Sequence, residues 1–230
     1  TVTRAEPAKM IAEAETMVRR YGFTSLKIKT GQGFETDREV LTGIRAAVGP
    51  DVTFSADSNR AYRLEEVGPF TDILAEFDVV VAEDPMELHP DETFAVAKQA
   101  ARVPLLIDNT CRSLDEAEAF LRVGAEALSV KVYKTGIVDS QEIMRQAAEK
   151  DVAVHIGLGA TSSIGAAAAL GVAGSVPPHR HGLPSEESFF LQFSAEYVSD
   201  PLTVENGMVR LPEATLNDWI DWRRVKDLAA

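Results

Sequence analysis

The chain has 230 residues, 45% of them hydrophobic and 26% charged, with a formal net charge of −13 at pH 7. That length and apolar content suit one soluble domain with a substantial core, and the acidic balance argues against nucleic acid or an anionic membrane surface as the main partner, since both demand a basic face. A single cysteine, Cys111, excludes an internal disulfide framework and fits a reducing cytoplasm, no apolar run reaches the ~20 residues that span a bilayer, and the start lacks a signal-peptide pattern.

In chain order, a first strand is predicted at Val2–Arg4, followed by a helix whose apolar face carries Met10, Ala14, Met17 and Val18. Gly22 stops it. A second strand, Ser25–Lys29, leads to a helix with Val40, Ile44 and Val48 in phase, closed by Gly49 and Pro50. Strands follow at Val52–Ala56, Asp78–Ala82, Pro104–Ile107, Leu128–Tyr133 and Val152–Ile156, each succeeded by a helical stretch. Ile143, Ala147 and Ala148 mark the helix before the last of these. An Ala-rich helix at Ile164–Ala173 and a strand near Arg180–Leu183 complete the series.

From Lys29 to Asp57, Glu83, Asp108, Lys131 and His155 the intervals are 28, 26, 25, 23 and 24 residues, close to one strand-helix unit each. Alternating units with near-continuous apolar strands predict an α/β fold with a parallel sheet covered by helices. No GxGxxG or GxxxxGK[ST] follows a strand, which removes the usual nucleotide sites. A polar residue at each strand end favours a closed TIM-like (β/α)7β barrel, whose chemistry lies at that face. The barrel is predicted to occupy residues 1–188, with 189–230 as an extension outside it that contains strand-like pieces such as Met208–Leu211.

In an eight-strand ring the second and sixth strands face each other, which sets Lys29 and Lys131 across the mouth with Asp57, Glu83 and Asp108 on the arc between. Three carboxylates in register would repel one another, and an oxygen-preferring dication such as Mg²⁺, or alternatively Mn²⁺, is the natural compensation. Taken singly, any of the three reads equally well as a helix N-cap or a solvated loop acid. Asn59, on the face of Asp57, is placed to orient a ligand or a lysine.

Lys27 and Lys29 share a strand face, and their like charges favour the neutral amine that a general base needs. Surface lysines at a strand end are the plainer alternative. Lys131 is expected on a face with Ser129 and Tyr133, with Lys134 pointing away, and is either a proton carrier or only a counter-charge. His155 is either a further base or, as is commoner for a lone strand histidine, a satisfied structural residue, and the His179-x-His181 spacing is a weak metal signal.

Lys27-Ile28-Lys29, Asp57-Ser58-Asn59, Glu83-Asp84-Pro85, Asp108-Asn109 and Lys131-Val132-Tyr133-Lys134-Thr135-Gly136 occur in this order. In them the chain resembles the enolase superfamily, specifically its muconate lactonizing enzyme subgroup. The resemblance implies Asp57, Glu83 and Asp108 as Mg²⁺ ligands, Lys29 as the base on one face of a carboxylate substrate, and Lys131 as acid or base on the other. The implied reaction removes the proton beside a carboxylate to give an enolate. Departures from the family pattern are Asn109, where Asp-Glu is common, and Thr161, where a glutamate is usual. The resemblance also implies a homo-oligomer and an N-terminal α+β cap domain, of which these residues show no match, so the cap is expected from a missing segment or a separate chain.

Two opposed lysines suit racemisation or epimerisation of an amino acid, dipeptide or N-substituted amino acid, with cycloisomerisation or dehydration as alternatives. A Schiff-base aldolase using Lys131 and a non-catalytic barrel subunit are readings of other classes.

Overall fold

The computed structural model describes residues 1–175 and 182–228. Six parallel strands run in sequence order through one sheet: β1 (Ser25–Lys29), β2 (Thr53–Asp57), β3 (Val79–Glu83), β4 (Leu105–Ile107), β5 (Ala127–Val130) and β6 (Ala153–Ile156). Between them lie α2 (Phe34–Val48), α3 (Val67–Glu76), α4 (Glu92–Ala100), α5 (Leu114–Arg122) and α6 (Val132–Glu149). Helix α1 (Pro7–Tyr21) precedes β1 and α7 (Ser163–Ser175) follows β6. Each strand lies beside the one before it, so the parallel sheet curls into a TIM-like barrel.

At the leading edge of the sheet, Val2 bridges to Ile28, its N–H donating to the Lys27 carbonyl at 2.7 Å. At the trailing edge, Leu183 and Glu186 donate backbone N–H groups to Val154 and Ile156 at 3.0 and 2.9 Å. These two segments hold the first and eighth positions of the ring.

Local chemistry sets the element ends. Pro7 opens α1, where its missing N–H costs nothing, and Gly22 ends that helix in the left-handed conformation. The side chains of Asp91 and Ser113 accept backbone N–H groups at the starts of α4 and α5.

Successive strand residues point to opposite faces, and two cores result. Outward residues such as Ile28, Phe54, Ile107, Leu128, Val130 and Ile156 pack against the helices with Leu41, Ile44, Phe70, Phe94, Phe120 and Ile143. Each fully buried phenylalanine in that layer contributes on the order of 1.5–3 kcal/mol. Inward residues Val81, Leu106, Ala127 and Ala153 form a small apolar layer inside the barrel with Leu183. The same alternation directs Lys27, Glu83, Ser129 and His155 into the middle of the barrel and Lys29, Asp57, Asp108 and Lys131 to its mouth.

Beyond the barrel segments, the hairpin of β7 (Val204–Glu205) and β8 (Met208–Val209) and the short helices α8 (Leu216–Trp219) and α9 (Trp222–Leu228) build on α7. Phe190, Val198, Leu202 and Trp219 bury themselves together with Ala166. The Glu196 carboxylate accepts the backbone N–H of Ser163 at 2.9 Å and its hydroxyl at 3.0 Å, and so fixes the start of α7. The hairpin turn reaches the end of α1, where Gly207 N–H donates to the Tyr21 carbonyl at 2.6 Å.

All six central strands fall where periodicity predicts them, with edges displaced by a residue or so, and the sixth predicted strand is the main correction. It ends at Val130 rather than Tyr133, because helical turns begin immediately after Lys131. The expected first strand reduces to the Val2 bridge. Of the last predicted strand, Arg180 and His181 fall outside the described residues, as does His179, and the pairing seen with β6 is made by Leu183 and Glu186.

Candidate active site at the carboxyl ends of the strands

Parallel register brings the site together. Lys29 lies beside Asp57, and Asp57 beside Glu83, as paired residues at the carboxyl ends of β1, β2 and β3. Asp108 follows β4, and Lys131 links β5 to α6. Strands β1 and β5 are four places apart in the sheet, which in an eight-membered ring is diametrically opposite.

Every one of the three carboxylates meets a lysine. Lys29 Nζ donates to Asp57 Oδ2 at 2.5 Å, Lys131 Nζ donates to Asp108 Oδ2 at 2.7 Å, and Lys27 Nζ is bound to Glu83. Lys29 is 25% exposed at its side chain, whereas Lys27 is 4% exposed and shut beneath it. A small molecule in the mouth can touch the first and not the second.

Lys27 is the hub of a buried cluster. It also donates to Glu186 Oε2 at 2.7 Å and approaches His155 Nε2 at 2.9 Å. His155 Nδ1 lies 2.7 Å from the Pro184 carbonyl, an acceptor only, so Nδ1 carries the proton and Nε2 accepts from the ammonium. The ring is neutral and structural, with burial and the Lys27 charge lowering its proton affinity.

Burial alone would neutralise Lys27, but Glu83 and Glu186 outweigh it and raise its pKa. This corrects the expectation that the pairing of Lys27 and Lys29 makes Lys27 a readier base. The two amines face different carboxylates. For Glu186, burial is overcome by Lys27 and the carboxylate stays well below its usual range.

Glu83 shows the opposite imbalance. Burial pushes it up to about 8, and Asp57, Glu186 and Asp108 add to the rise against the pull of Lys27. Burial and three neighbouring acids disfavour the anionic form of this carboxyl, and the hard oxygens of Asp57, Glu83 and Asp108 are the donor set with which an oxygen-preferring dication would compensate it. Among the described residues no three such side chains already converge on one point, so Asp57 and Asp108 would have to turn from their lysines to Glu83.

Asn59 reaches Asp57 through a left-handed turn rather than along the strand. Its backbone N–H and side-chain amide donate to the two Asp57 oxygens at 2.8 and 3.2 Å, and Lys29 lies 3.4 Å from its Oδ1.

Around Lys131 two expectations change. Tyr133 is on the first turn of α6 and 61% exposed, not on a strand face. Lys134 does not point away: the same turn returns its Nζ to 3.2 Å from Asp108 Oδ1. Burial opposes the charge on Lys131, yet Asp108 outweighs it and holds the amine protonated, while Lys131 and Lys134 together overcome burial to lower Asp108.

Three further acids, of which only Asp84 stands in a quoted motif, have no role in the sequence reading. Asp84 accepts the N–H groups of Asp108 and Asn109 at 3.2 and 2.8 Å and the Asn109 amide at 2.6 Å, tying the end of β3 to that of β4. Glu186 and Glu187 close the ring. Thr161 donates to Glu187 at 3.3 Å, and burial pushes this acid up to about 7. The acidic pair following Pro184 was a visible signal, but its strand had too little apolar pattern to place it.

The chain belongs to the enolase C-terminal domain-like family, whose model matches residues 9–215. D-Ala-D/L-Ala epimerase of Cytophaga hutchinsonii is 29% identical over 175 residues, which are 75% of this chain and 47% of that protein. The chain thus spans about half the length of this relative. A crystal structure of a dipeptide epimerase from Cytophaga hutchinsonii complexed with Mg and the dipeptide D-Ala-L-Val matches at a TM-score of 0.81 and 26% identity, covering 92% of this chain and 57% of that one. Muconate lactonizing enzyme from Pseudomonas putida shares the fold at a TM-score of 0.88 and 18% identity, over 98% of this chain and 63% of its own.

Proposed function

We propose that this barrel removes and returns the proton beside a carboxylate through an enolate, and that its substrate is a dipeptide or amino acid epimerised at that carbon. The observation that carries the reading is the placement of two partly accessible lysines, Lys29 and Lys131, on opposite strands with three carboxylates on the arc between. Similarity to dipeptide epimerases favours epimerisation over cycloisomerisation.

In this reading Asp57, Glu83 and Asp108 hold a Mg²⁺ ion. When bound, the ion supplies charge that stabilises the carboxylate oxygens as the neighbouring carbon loses its proton. Lys29 takes or gives that proton on one face of the substrate and Lys131 does so on the other. Asp108 keeps Lys131 charged in the resting chain, ready to donate. Asn59 orients Asp57, and Asp84 holds the backbone on which Asp108 sits. Lys27 contributes charge from beneath, because its burial keeps it from the substrate.

The experiment is solvent deuterium exchange at the carbon beside the carboxylate, followed by NMR across amino acids, dipeptides and hydroxy acids with Mg²⁺ or EDTA. Exchange should require Mg²⁺. Lys29→Ala and Lys131→Ala should each abolish exchange from opposite enantiomers, by roughly 10²–10⁴-fold. Equal residual exchange from both enantiomers in either variant would defeat the two-lysine mechanism, and exchange indifferent to EDTA would defeat the metal assignment.

A further inference from the structure

We propose that Gly157 is a positioning residue for Lys131, acting through the space that its missing side chain leaves open; the proposal rests on the two-lysine reading above. Gly157 directly follows β6, and its N–H donates to the Val130 carbonyl at 2.9 Å, so it sits beside Lys131 at the barrel mouth. Its φ lies outside the left-handed region, so positive-φ strain is not what keeps a side chain from this position. Space is the constraint. A Cβ here would lie 2.6 Å from Lys131 Cε and 3.1 Å from its Cγ, distances at which something must move.

The other neighbour is enclosed. Ser129 Oγ would be 2.5 Å from the same Cβ, and Ser129 is fully buried on a short side chain. Its hydroxyl is also one of two buried side-chain groups without a hydrogen-bond partner among the described residues. The lysine stem therefore lies in a lane over Gly157, walled on one side by an unused hydroxyl. Displacing the stem would lift Nζ from Asp108, now 2.7 Å away, and from the substrate's face. Among the glycines with described surroundings, none has Lys29 as its near neighbour. Gly31, near Lys29, has a positive φ and meets Ala61 and Ser58 rather than a lysine.

The lane predicts a one-sided defect. In Gly157→Ala, deuterium exchange from the enantiomer that depends on Lys131 should fall by roughly 10²-fold, the cost of a misplacement of about 1 Å. Exchange dependent on Lys29 should change far less. Independently of activity, the lysines are ¹³C-methylated by reductive alkylation and observed by NMR, with the Lys131 and Lys29 signals identified by their loss in Lys131→Arg and Lys29→Arg. The Lys131 signal should move in Gly157→Ala while the Lys29 signal stays.

The double variant Ser129→Ala/Gly157→Ala separates positioning from packing, since it removes the buried hydroxyl and keeps the collision with the lysine stem. It should fold with the same one-sided defect. If wild-type protein exchanges neither enantiomer, the functional reading fails, and the Lys131 signal alone decides the positioning. Equal losses on both enantiomers, an unmoved Lys131 signal in a folded variant, or failure of both variants to fold would overturn the proposal, the last because the space would then serve folding.

Discussion

Lys27 and Lys29 are separated by one residue and share a face, yet the barrel gives them different partners and different exposure. Two residues along a strand is about 6–7 Å, enough to pass from the enclosed middle of the barrel to its mouth. That Lys29, Asp57, Glu83, Asp108 and Lys131 gather at one end of the sheet was legible because each recurs at the same place in a strand-helix unit. Their partners were not. Glu186, Glu187 and Lys134 reach the site through a weakly patterned segment and a helical turn, neither of which periodicity reveals. Glu187 carries a pH prediction. Its folded pKa, pushed up to about 7 from 4.5 by burial, means that the folded chain binds the extra proton between those values. Stability should therefore fall as pH rises from about 4.5 through 7. Glu187→Gln should remove that part of the fall, and thermal melts from pH 5 to 8 should show a flatter profile than wild type; an unchanged profile would contradict the assignment.

At the scale of elements, the break in α6 shapes the site. Gly136 has φ 74° and ψ 173°, a conformation open essentially to glycine alone. It separates the turn that carries Lys131 and Lys134 from the longer helix beyond. Ser140 Oγ donates to the Gly136 carbonyl at 2.5 Å and lies 2.6 Å from Thr135 Oγ1, so the second part is anchored directly across the break. Sequence periodicity located this helix through Ile143 and Ala147, which are buried, but extended the preceding strand to Tyr133. Val132 and Tyr133 are good strand residues, and tertiary context overrode that preference. Gly136→Ala should cost on the order of 1–3 kcal/mol in urea unfolding. It should also weaken exchange through Lys131 more than through Lys29.

On the scale of the whole molecule, the ring is completed by side chains as much as by backbone. Glu186 receives Lys27 from β1 and the Thr1 hydroxyl, while its own segment pairs with β6. Removing the charge should leave the buried Lys27 with Glu83 as its one ion-pair partner. Glu186→Gln is expected to lower the unfolding free energy by about 3 kcal/mol, the scale for breaking a buried ion pair. A urea midpoint equal to that of wild type would exclude this role. The class of fold was readable from the alternation of elements, whereas the seam was not, because the residues that make it come from opposite ends of the barrel sequence.

That seam has a consequence for how the chain acquires its structure. Lys27 and Glu186 are 159 positions apart, and the Thr1–Glu186 contact spans 185. Neighbouring strand-helix units can associate early, since their contacts are local, but these pairings must await the closure of a very long loop. Until Glu186 arrives, the early units would carry an inward ammonium with Glu83 as its one ion-pair partner, and an open strand edge. The final acids arrive last and convert a half-built, aggregation-prone sheet into a sealed cylinder.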